Sequence, residues 1–574
     1  MEESSKQGMN RRDFLKGAFV AGAAAASSAA LVATQPGFAS SVAPIEGGAG
    51  SARPWEGKAP EIPASAISET IDTDICVVGA GVAGMNATAG ASGEGAKVVL
   101  LEKTGSFTFR GQDNGGIGSK LQEAEGVVID RAEVLRCESE WDHDKFNQNL
   151  FKVWLYRSGE VFNEIIDLVA DAGYTTGFAA GVVPGRDKLA QYYRMYKTNH
   201  GFGQTPEVFD SNGNRVAVQG VYLGILETYA LEHGAEIRYN TPAQQLITDS
   251  SGAVKGVIAL KEDGTYLQVN TSKGVIMASG DISGNKEMCR EWCPMTLHNL
   301  GNGAGQVDAY TPMGANTGDG LQMGMWAGAV HQIAPAAPMV HGFGRQMPFG
   351  AQYIGWLQVN NKGKRYHNEE PNEVSNSNGM MLQPQSQGFW MFDSAYYEKV
   401  LKMLPENKTA TGTDLVNETS EEMLDRVVQN GEVFKGDTIE EIAAAIGAPP
   451  DVLKATVDRY NGMCANGVDT DFSKRDLWLS GTSLDTPPYY AAVVMARWFV
   501  TIFGLHCDEY SRVLNVDDAP IPNLFAAGNA QGDFFTDDYP LLTPGISHGR
   551  AAVFGRLIGK ALAHDTLYDL PEGA

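Results

Sequence analysis

The chain reads as an α/β protein with a doubly wound parallel sheet, and three observations lead there. A short apolar run, Ile75 to Val78, has the length and character of a buried strand. It runs straight into Gly79-Ala80-Gly81-Val82-Ala83-Gly84, and the small residues from Met85 to Ala91 continue as a helix. A second apolar run, Val98 to Leu101, ends on Glu102. Strand, G-x-G-x-x-G, helix, strand and terminal acid in that order form a dinucleotide-binding unit. The three glycines serve a tight turn, a close backbone approach to pyrophosphate, and close helix–strand packing. The helix N-terminus offers its N–H groups to the phosphates, and Glu102 can accept the hydroxyls of an adenosine ribose. The unit's place near the front of the folded chain favours FAD over NAD.

With 574 residues the chain can bury a large core and is expected to form two or more lobes. Its formal net charge of −25 excludes a nucleic-acid partner, because neutralising phosphates takes clustered Lys and Arg. The first residues stand apart from the fold. Arg11-Arg12-Asp13-Phe14-Leu15-Lys16 precedes a mild apolar stretch from Ala18 to Ala33, and Gly37-Phe38-Ala39 follows as a small-x-small cleavage pattern. This resembles a twin-arginine export signal over 1–39. That route carries folded proteins, which suits a chain that must take up its nucleotide in the cytoplasm. Export to the periplasm or the outer face of the cytoplasmic membrane is therefore expected. Residues 40–70, rich in Gly, Ala, Pro and Ser, read as a flexible linker. The six cysteines include no C-x-x-C pair, so the chain carries no haem attachment motif and no iron–sulfur run. Cys289 and Cys293 could pair in an oxidising compartment or simply share one helix face. No metal site is read.

Beyond the nucleotide unit, Gly111-Gln112-Asp113-Asn114-Gly115-Gly116 forms a loop whose glycines permit close approach to a ligand. Residues 144–172 carry apolar side chains at helical spacing and predict a packed helix pair. A helix over Val221 to Ala230 leads to Glu236-Ile237-Arg238 and then to a meander with strands at 246–248, 254–260 and 266–269. Val275 to Gly280 predicts a further short strand, and Leu321 to Gly328 a helix opened by Asn316-Thr317-Gly318-Asp319-Gly320.

In this order the pieces resemble the flavoprotein family of fumarate reductases and succinate dehydrogenases, with the soluble fumarate and urocanate reductases as the nearest branch. The resemblance covers residues 71 to 563. It rests on the fingerprint at 78–84, Leu101-Glu102-Lys103, Asn240-Thr241-x-Ala243, Ala278-Ser279-Gly280, Thr317-Gly318-Asp319-Gly320, Gly363-Lys364-Arg365-Tyr366-x-Asn368-Glu369 and Asn523 to Gly528. It implies an FAD domain over 71–334, an inserted α+β capping domain over 335–500 and a return to the FAD site over 501–574. Family roles then fall on matching positions. Gly79, Ala80, Gly81, Ala83 and Gly84 would cradle the dinucleotide, with Glu102 and Lys103 at the ribose and Ala243 at the adenine. Gly115, Gly116, Ala278, Ser279 and Gly280 would line the site. Asp319, Gly528 and Asn529 would meet ribityl or phosphate oxygens, with Asn529 standing where the family commonly has Glu. Gly545-Ile546 would lie beside the flavin pyrimidine ring. Membrane-bound relatives attach FAD to a histidine ahead of the first Gly-Gly pair. The stretch from Thr104 to Gly116 has none, so the FAD is expected to be non-covalent.

The resemblance breaks at the catalytic positions. The family's proton-donating arginine, eight residues after Arg365, falls on Glu373. Its paired histidines fall near Phe499-Val500, and its carboxylate-clamping arginine near Tyr539-Pro540. Arginine suits carboxylates because its planar fork binds them bidentately. Without that set a dianion such as fumarate is not the expected substrate, and a neutral or singly charged, larger aromatic or alicyclic molecule is. Tyr539 heads Tyr-Pro-Leu-Leu-Thr-Pro-Gly-Ile, which resembles the C-terminal loop of flavin-dependent ketosteroid dehydrogenases, and it is the first candidate proton donor. His341 is the second, and Glu373 could serve if burial raised its pKa. Tyr192, Tyr193, Tyr196 and His200 could line the same cavity. Arg365 is expected to be structural, paired with Glu369 or capping backbone. The expected activity is reduction of an activated C=C bond of a small unsaturated substrate, with electrons from a membrane-anchored cytochrome or quinol-oxidising partner. The alternatives are a ketosteroid-type dehydrogenase and a non-catalytic flavin electron carrier.

Overall fold

The computed structural model describes residues 53–178, 195–204, 218–297, 305–306, 315–344, 354–370, 373–403 and 420–572. The leader over 1–39 and residues 40–52 of the expected linker lie outside the described residues, as do Tyr192 and Tyr193. In chain order the front of the fold holds β1 (Ile67–Val78), α1 (Val82–Gly93), β2 (Val98–Leu101), β3 (Asn114–Gly115), α2 (Lys120–Ala124), α3 (Arg131–Asp142), α4 (Gln148–Asp171), β4 (Thr175–Phe178), β5 (Asn199–Gln204), α5 (Val218–Glu232) and β6 (Glu236–Arg238). Next come β7 (Ala243–Thr248), β8 (Val254–Leu260), β9 (Tyr266–Met277), α6 (Lys286–Trp292), β10 (Gly305–Gln306) and α7 (Asp319–Trp326). The middle contains β11 (Ala337–Gly344), β12 (Leu357–Val359), α8 (Glu373–Met381), β13 (Gln387–Asp393), α9 (Tyr396–Met403), α10 (Ser420–Gln429), β14 (Val433–Gly436), α11 (Ile439–Ile446), α12 (Pro450–Asn466) and β15 (Tyr489–Ile502). The chain closes with β16 (Arg512–Leu514), β17 (Pro520–Ala526) and α13 (Ile546–Ala563).

The main sheet runs β16-β17-β9-β1-β2-β6, with β7 and β8 continuing from β9. Five successive strands, from β17 to β6, are parallel: Ile75 faces Val98, Val78 faces Met277, and Leu524 faces Val275. Strands buried on both faces need continuous apolar runs, and Ile75 to Val78 and Val98 to Leu101 supply them. On one face α1 packs against α13 so closely that a methyl group added at Gly555 would stand 2.2 Å from the Ala83 carbonyl oxygen. The Ala- and Gly-rich sequences of both helices meet that demand. The second sheet centres on β15, which pairs with β10, β11, β13 and β14, while β12 extends it from β13. A small antiparallel sheet, β3-β5-β4, lies at the front.

Several expectations need correction. The linker over 40–70 ends earlier than composition implied, since Trp55 is buried against Trp292 and β1 begins at Ile67. The helix pair over 144–172 is one 24-residue helix, because its apolar stripe continues unbroken from Leu150 to Val169. The strand at Val275 is the second half of β9, whose first half pairs with β8 and whose second half pairs with β17. Cys289 and Cys293 are free and buried in and beside α6, and burial raises both thiol pKa values, that of Cys289 to about 11.

Candidate active site

The three glycines of the fingerprint separate by what surrounds them. Gly79 has φ +106° and an added Cβ would lie 2.5 Å from the Ala278 carbonyl oxygen; at Gly84 the same test gives 1.8 Å to the Gly79 oxygen. Protein packing requires both. At Gly81 the nearest atom is the Thr108 carbonyl oxygen at 3.9 Å, so the space beside it is open. Gly81 is the N-cap of α1 and makes no side-chain cap. Elsewhere helices begin on Ser119, Asp130, Asn147, Asn285 and Thr438, each capping with its side chain. By contrast α1, α7 and α13 begin on Gly81, Gly318 and Gly545 with no such cap. The bare α1 N-terminus, with open space beside Gly81, fits the phosphates of a dinucleotide.

Glu102 is buried at the end of β2. Its carboxylate accepts from the Ala80 backbone N–H at 2.7 Å, the Thr104 N–H at 2.8 Å and the Thr104 hydroxyl at 2.7 Å. A carboxylate has about four acceptor positions, so one remains for a ribose hydroxyl. Lys103 donates to the Thr317 hydroxyl at 2.9 Å and to Asp319 at 3.0 Å, and the Thr317 hydroxyl donates to the other Asp319 oxygen at 2.7 Å. Both Asp319 oxygens are thus engaged by protein, which makes Asp319 first a clasp between β2 and α7. Ala243 opens β7 and pairs with Ala259. Ala278, Ser279 and Gly280 leave β9 beside Gly79 and α7: an added Cβ at Gly320 would meet the Ser279 hydroxyl at 1.8 Å.

Gly115 and Gly116 need a different account from the one their spacing implied. An added Cβ at Gly115 would lie 2.7 Å from the Ile546 nitrogen, and one at Gly116 would lie 2.5 Å from the Phe162 ring. The Gly115 N–H donates to the Gly545 carbonyl at 2.7 Å. Their missing side chains admit neighbouring protein, and the loop they occupy seats Gly545-Ile546 at the start of α13. Gly528 has φ +64° and rests on Ala83. Asn529 accepts from Arg550 at 2.9 Å.

Tyr539 is brought to the same helix start. It is buried, its ring packs edge-on to Phe535 at 5.2 Å, and its hydroxyl oxygen accepts from the Ser547 N–H at 3.4 Å. Burial raises the phenol pKa, with Asp113 and Glu138 adding to the rise, so the group stays protonated. His341 lies in β11, where its backbone faces Arg497 of β15. Glu373 is the first residue of α8. The side chains of both lie outside the described residues. His200 belongs to the core: it is fully buried, contacts the Ser119 hydroxyl at 2.7 Å and the Thr198 carbonyl at 2.8 Å, and burial lowers its pKa to about 4. Tyr196 donates its hydroxyl to the Cys137 sulfur at 3.5 Å. Arg365 pairs with Glu369 and also with Asp469, each through two nitrogens at 2.7–2.9 Å, a structural role within the second lobe.

Two residues were missed by the sequence reading. Asp281 follows Gly280 directly, is 1% exposed, and accepts from the Ser283 N–H, the Asn316 amide and the Thr501 hydroxyl. It ties the end of β9 to the α7 loop and to the last turn of β15. Arg550, inside the small-residue face of α13, is 1% exposed. It donates to Asn529 and Gln531 and lies over the rings of Phe534 and Phe535. Burial lowers its pKa to about 9. An arginine set directly among Gly549, Ala551, Ala552 and Val553 was the available signal for it.

A doubly wound sheet, uncapped glycine helix starts and a carboxylate at the end of the second strand define a dinucleotide-binding flavoprotein. Residues 203–540 match the FAD binding domain family, and the chain belongs to that family, with FAD as its cofactor. It is 26% identical over 516 residues to a vinyl phenol reductase of Lactiplantibacillus plantarum, covering 86% of this chain and 97% of that one. It is also 26% identical over 603 residues to a digoxin reductase of Eggerthella lenta, covering 97% of each. Among solved structures, the open conformation of a flavocytochrome c3 fumarate reductase shares the fold with a TM-score of 0.62 at 23% identity, over 88% of this chain and 79% of that one.

Proposed function

We propose that this FAD-dependent oxidoreductase reduces an activated C=C bond in a small neutral or singly charged organic molecule other than fumarate. The observation that carries the reading is Tyr539, a buried phenol at the start of α13, standing in the stretch where the family places its carboxylate-clamping arginine. Its oxygen accepts a backbone N–H, so its own proton remains to be given. Bound FAD supplies the hydride. Tyr539 supplies the proton to the neighbouring carbon, and the second lobe excludes water while this happens. Arg550 is already engaged with Asn529 and Gln531. The names of two relatives, a vinyl phenol reductase and a digoxin reductase, fit a substrate chosen by shape more than by paired carboxylates. The Arg11-Arg12-x-Phe14-Leu15-Lys16 leader supports export of the loaded protein to the periplasm or the outer face of the cytoplasmic membrane. Electrons would then come from a separate membrane-anchored donor, because the chain has no haem-attachment motif. The absence of histidine from Thr104 to Gly116 supports non-covalent FAD.

The test is anaerobic. The holoenzyme is reduced with dithionite and offered fumarate, 4-vinylphenol, unsaturated monocarboxylic acids and enone steroids, and flavin reoxidation is followed by absorbance. Fumarate should be slow. Fumarate turning over as fast as any other acceptor would remove the reading. Tyr539→Phe should keep its FAD and slow reoxidation at least 100-fold, the usual scale of general acid catalysis.

A further inference from the structure

Two other arginines with enclosed side chains have carboxylates beside them, and Arg550 does not. Arg365 lies between Glu369 and Asp469, and Arg556 pairs with Glu164. Arg550 is as deeply enclosed as either but forms no ion pair among the described residues. Its Nη2 donates to the Asn529 side-chain oxygen at 2.9 Å and its Nη1 to the Gln531 carbonyl at 3.2 Å. The Nε, also buried, has no acceptor among the described residues. The guanidinium lies 4.7 Å from the Phe535 ring centre and 5.2 Å from that of Phe534. The ionisable groups that act on it, Tyr539 and Cys507, are buried with raised pKa values and carry no charge at neutral pH. A buried cation without an anion is strongly destabilising, so a counter-charge is missing. The contacts of Arg550 lead to the place where one would come from. Asn529 follows Gly528, which is wedged between two helices: an added Cβ there would lie 3.0 Å from the Ala83 Cβ of α1 and 3.7 Å from the Ala551 Cβ of α13. Ala83 belongs to the first turn of α1, whose N-terminus opens beside Gly81. Asn529 is partly exposed there. An arginine can only donate, so the Asn529 amide oxygen is held against Arg550 and its NH2 group is turned away. Asn529 thereby becomes a donor backed by a positive charge.

We propose that Arg550 and Asn529 form a cofactor-binding pair, and that the counter-charge Arg550 lacks within the protein is the anionic part of bound FAD. The assignment is independent of which residue gives the proton. Its consequence is a linkage: the apoprotein holds an unpaired buried cation and the holoprotein does not, so FAD should stabilise the fold by more than its contacts elsewhere would. Removing the charge should spare or stabilise the apoprotein while weakening the cofactor. Removing an arginine that only braces the fold would harm both forms alike. Placing a carboxylate at position 529 should pair Arg550 from within and stabilise the apoprotein. FAD offers two anionic groups, its diphosphate and, once reduced, its ring. If the diphosphate is the partner, both redox states lose affinity together and the flavin potential stays where it was. If the reduced ring is the partner, only the reduced state loses affinity. A tenfold loss confined to that state lowers the potential of a two-electron couple by about 30 mV.

The experiment compares the wild type with Arg550→Met, Arg550→Lys, Asn529→Asp and the Arg550→Met/Asn529→Asp double variant. Each is stripped of FAD and titrated with it while flavin fluorescence is followed. Melting temperatures are taken with and without FAD, and the midpoint potential of the loaded protein is read by reductive titration against a reference dye. Arg550→Met should bind FAD at least tenfold more weakly in at least one redox state, with an apoprotein melting no lower than wild type. Arg550→Lys keeps the charge and should recover part of the loss. Asn529→Asp should raise the melting temperature of the apoprotein, and the double variant should not show that gain. An unchanged potential assigns the counter-charge to the diphosphate, and a fall of about 30 mV or more with oxidised FAD bound as in the wild type assigns it to the reduced ring. The proposal is overturned if Arg550→Met binds both redox states within threefold of wild type, or if its apo and holo forms lose stability equally. Should Arg550→Met fail to fold, an Asn529→Asp apoprotein that melts no higher than wild type overturns it as well.

Discussion

At the scale of single residues, glycine has two uses in this molecule, and they can be told apart. Gly79 and Gly84 lack side chains because backbone carbonyls occupy the space, whereas Gly81 lacks one beside open space. Gly84→Ala should therefore damage the apoprotein, since a contact of 1.8 Å forces the β1–α1 turn apart. Gly81→Ala should leave the melting temperature of the apoprotein within a degree or so of wild type while lowering FAD occupancy. Differential scanning fluorimetry with and without added FAD reads both, and a Gly81→Ala protein that is fully loaded would count against this assignment. The same logic shows what spacing cannot reveal. Gly115 and Gly116 look like ligand-facing glycines in sequence, yet the groups pressed against them are Ile546 and Phe162, more than forty residues away along the chain.

At the scale of elements, the nucleotide unit was legible because every part of it is local. Ile75 to Val78, the three glycines and Val98 to Leu101 each announce themselves within thirty residues. The helix pair expected over 144–172 was misread because Leu150 to Val169 keep one stripe without a break, and a split would need a cap or a glycine at a turn. Two buried carboxyl groups on α3, Glu138 and Asp142, were not read at all. They sit in a polar-looking helix whose buried face is apparent only when the 536–539 loop lies on it. Their placement has a consequence for stability. Asp142 has its pKa raised on folding, so its contribution is fully present below the unfolded value near 4 and is lost as pH rises to about 7. Unfolding free energy should decline across that window by up to about 1.4 kcal/mol per pH unit, and the melting temperature should fall with it. Asp142→Asn should flatten the decline; an unchanged profile would show the carboxyl to be solvated. Asp469 acts in the opposite sense: against the cost of burial, Arg365 and nearby N–H groups hold its pKa well below the usual carboxylate range. That stability is present above the unfolded value near 4 and fades in acid.

At the scale of the whole molecule, two sheets share responsibility. The parallel sheet carries the glycine-rich nucleotide unit, and the sheet centred on β15 forms the second lobe. Asp281 and Thr501 join them where β9 and β15 end. This division was implied by family resemblance and not by local pattern, because strands such as β12 and β14 are three and four residues long and give almost no signal of their own. The leader makes a testable claim at this scale. A chain lacking residues 1–39 should accumulate in the cytoplasm carrying FAD at full occupancy, whereas the intact chain should appear outside the cytoplasmic membrane with the same flavin content. Cell fractionation with flavin fluorescence distinguishes the two, and an intact chain retained inside would remove the export reading. One feature of the second sheet bears on how the molecule is made. β15, the strand that β10, β11, β13 and β14 all pair with, spans residues 489–502, and β17 and α13 follow it. During synthesis the earlier strands of both sheets leave the ribosome long before the segments that complete them. Neither lobe can close before those segments have emerged, and a translational pause before codon 489 would leave β11, β13 and β14 without their partner and open to chaperones.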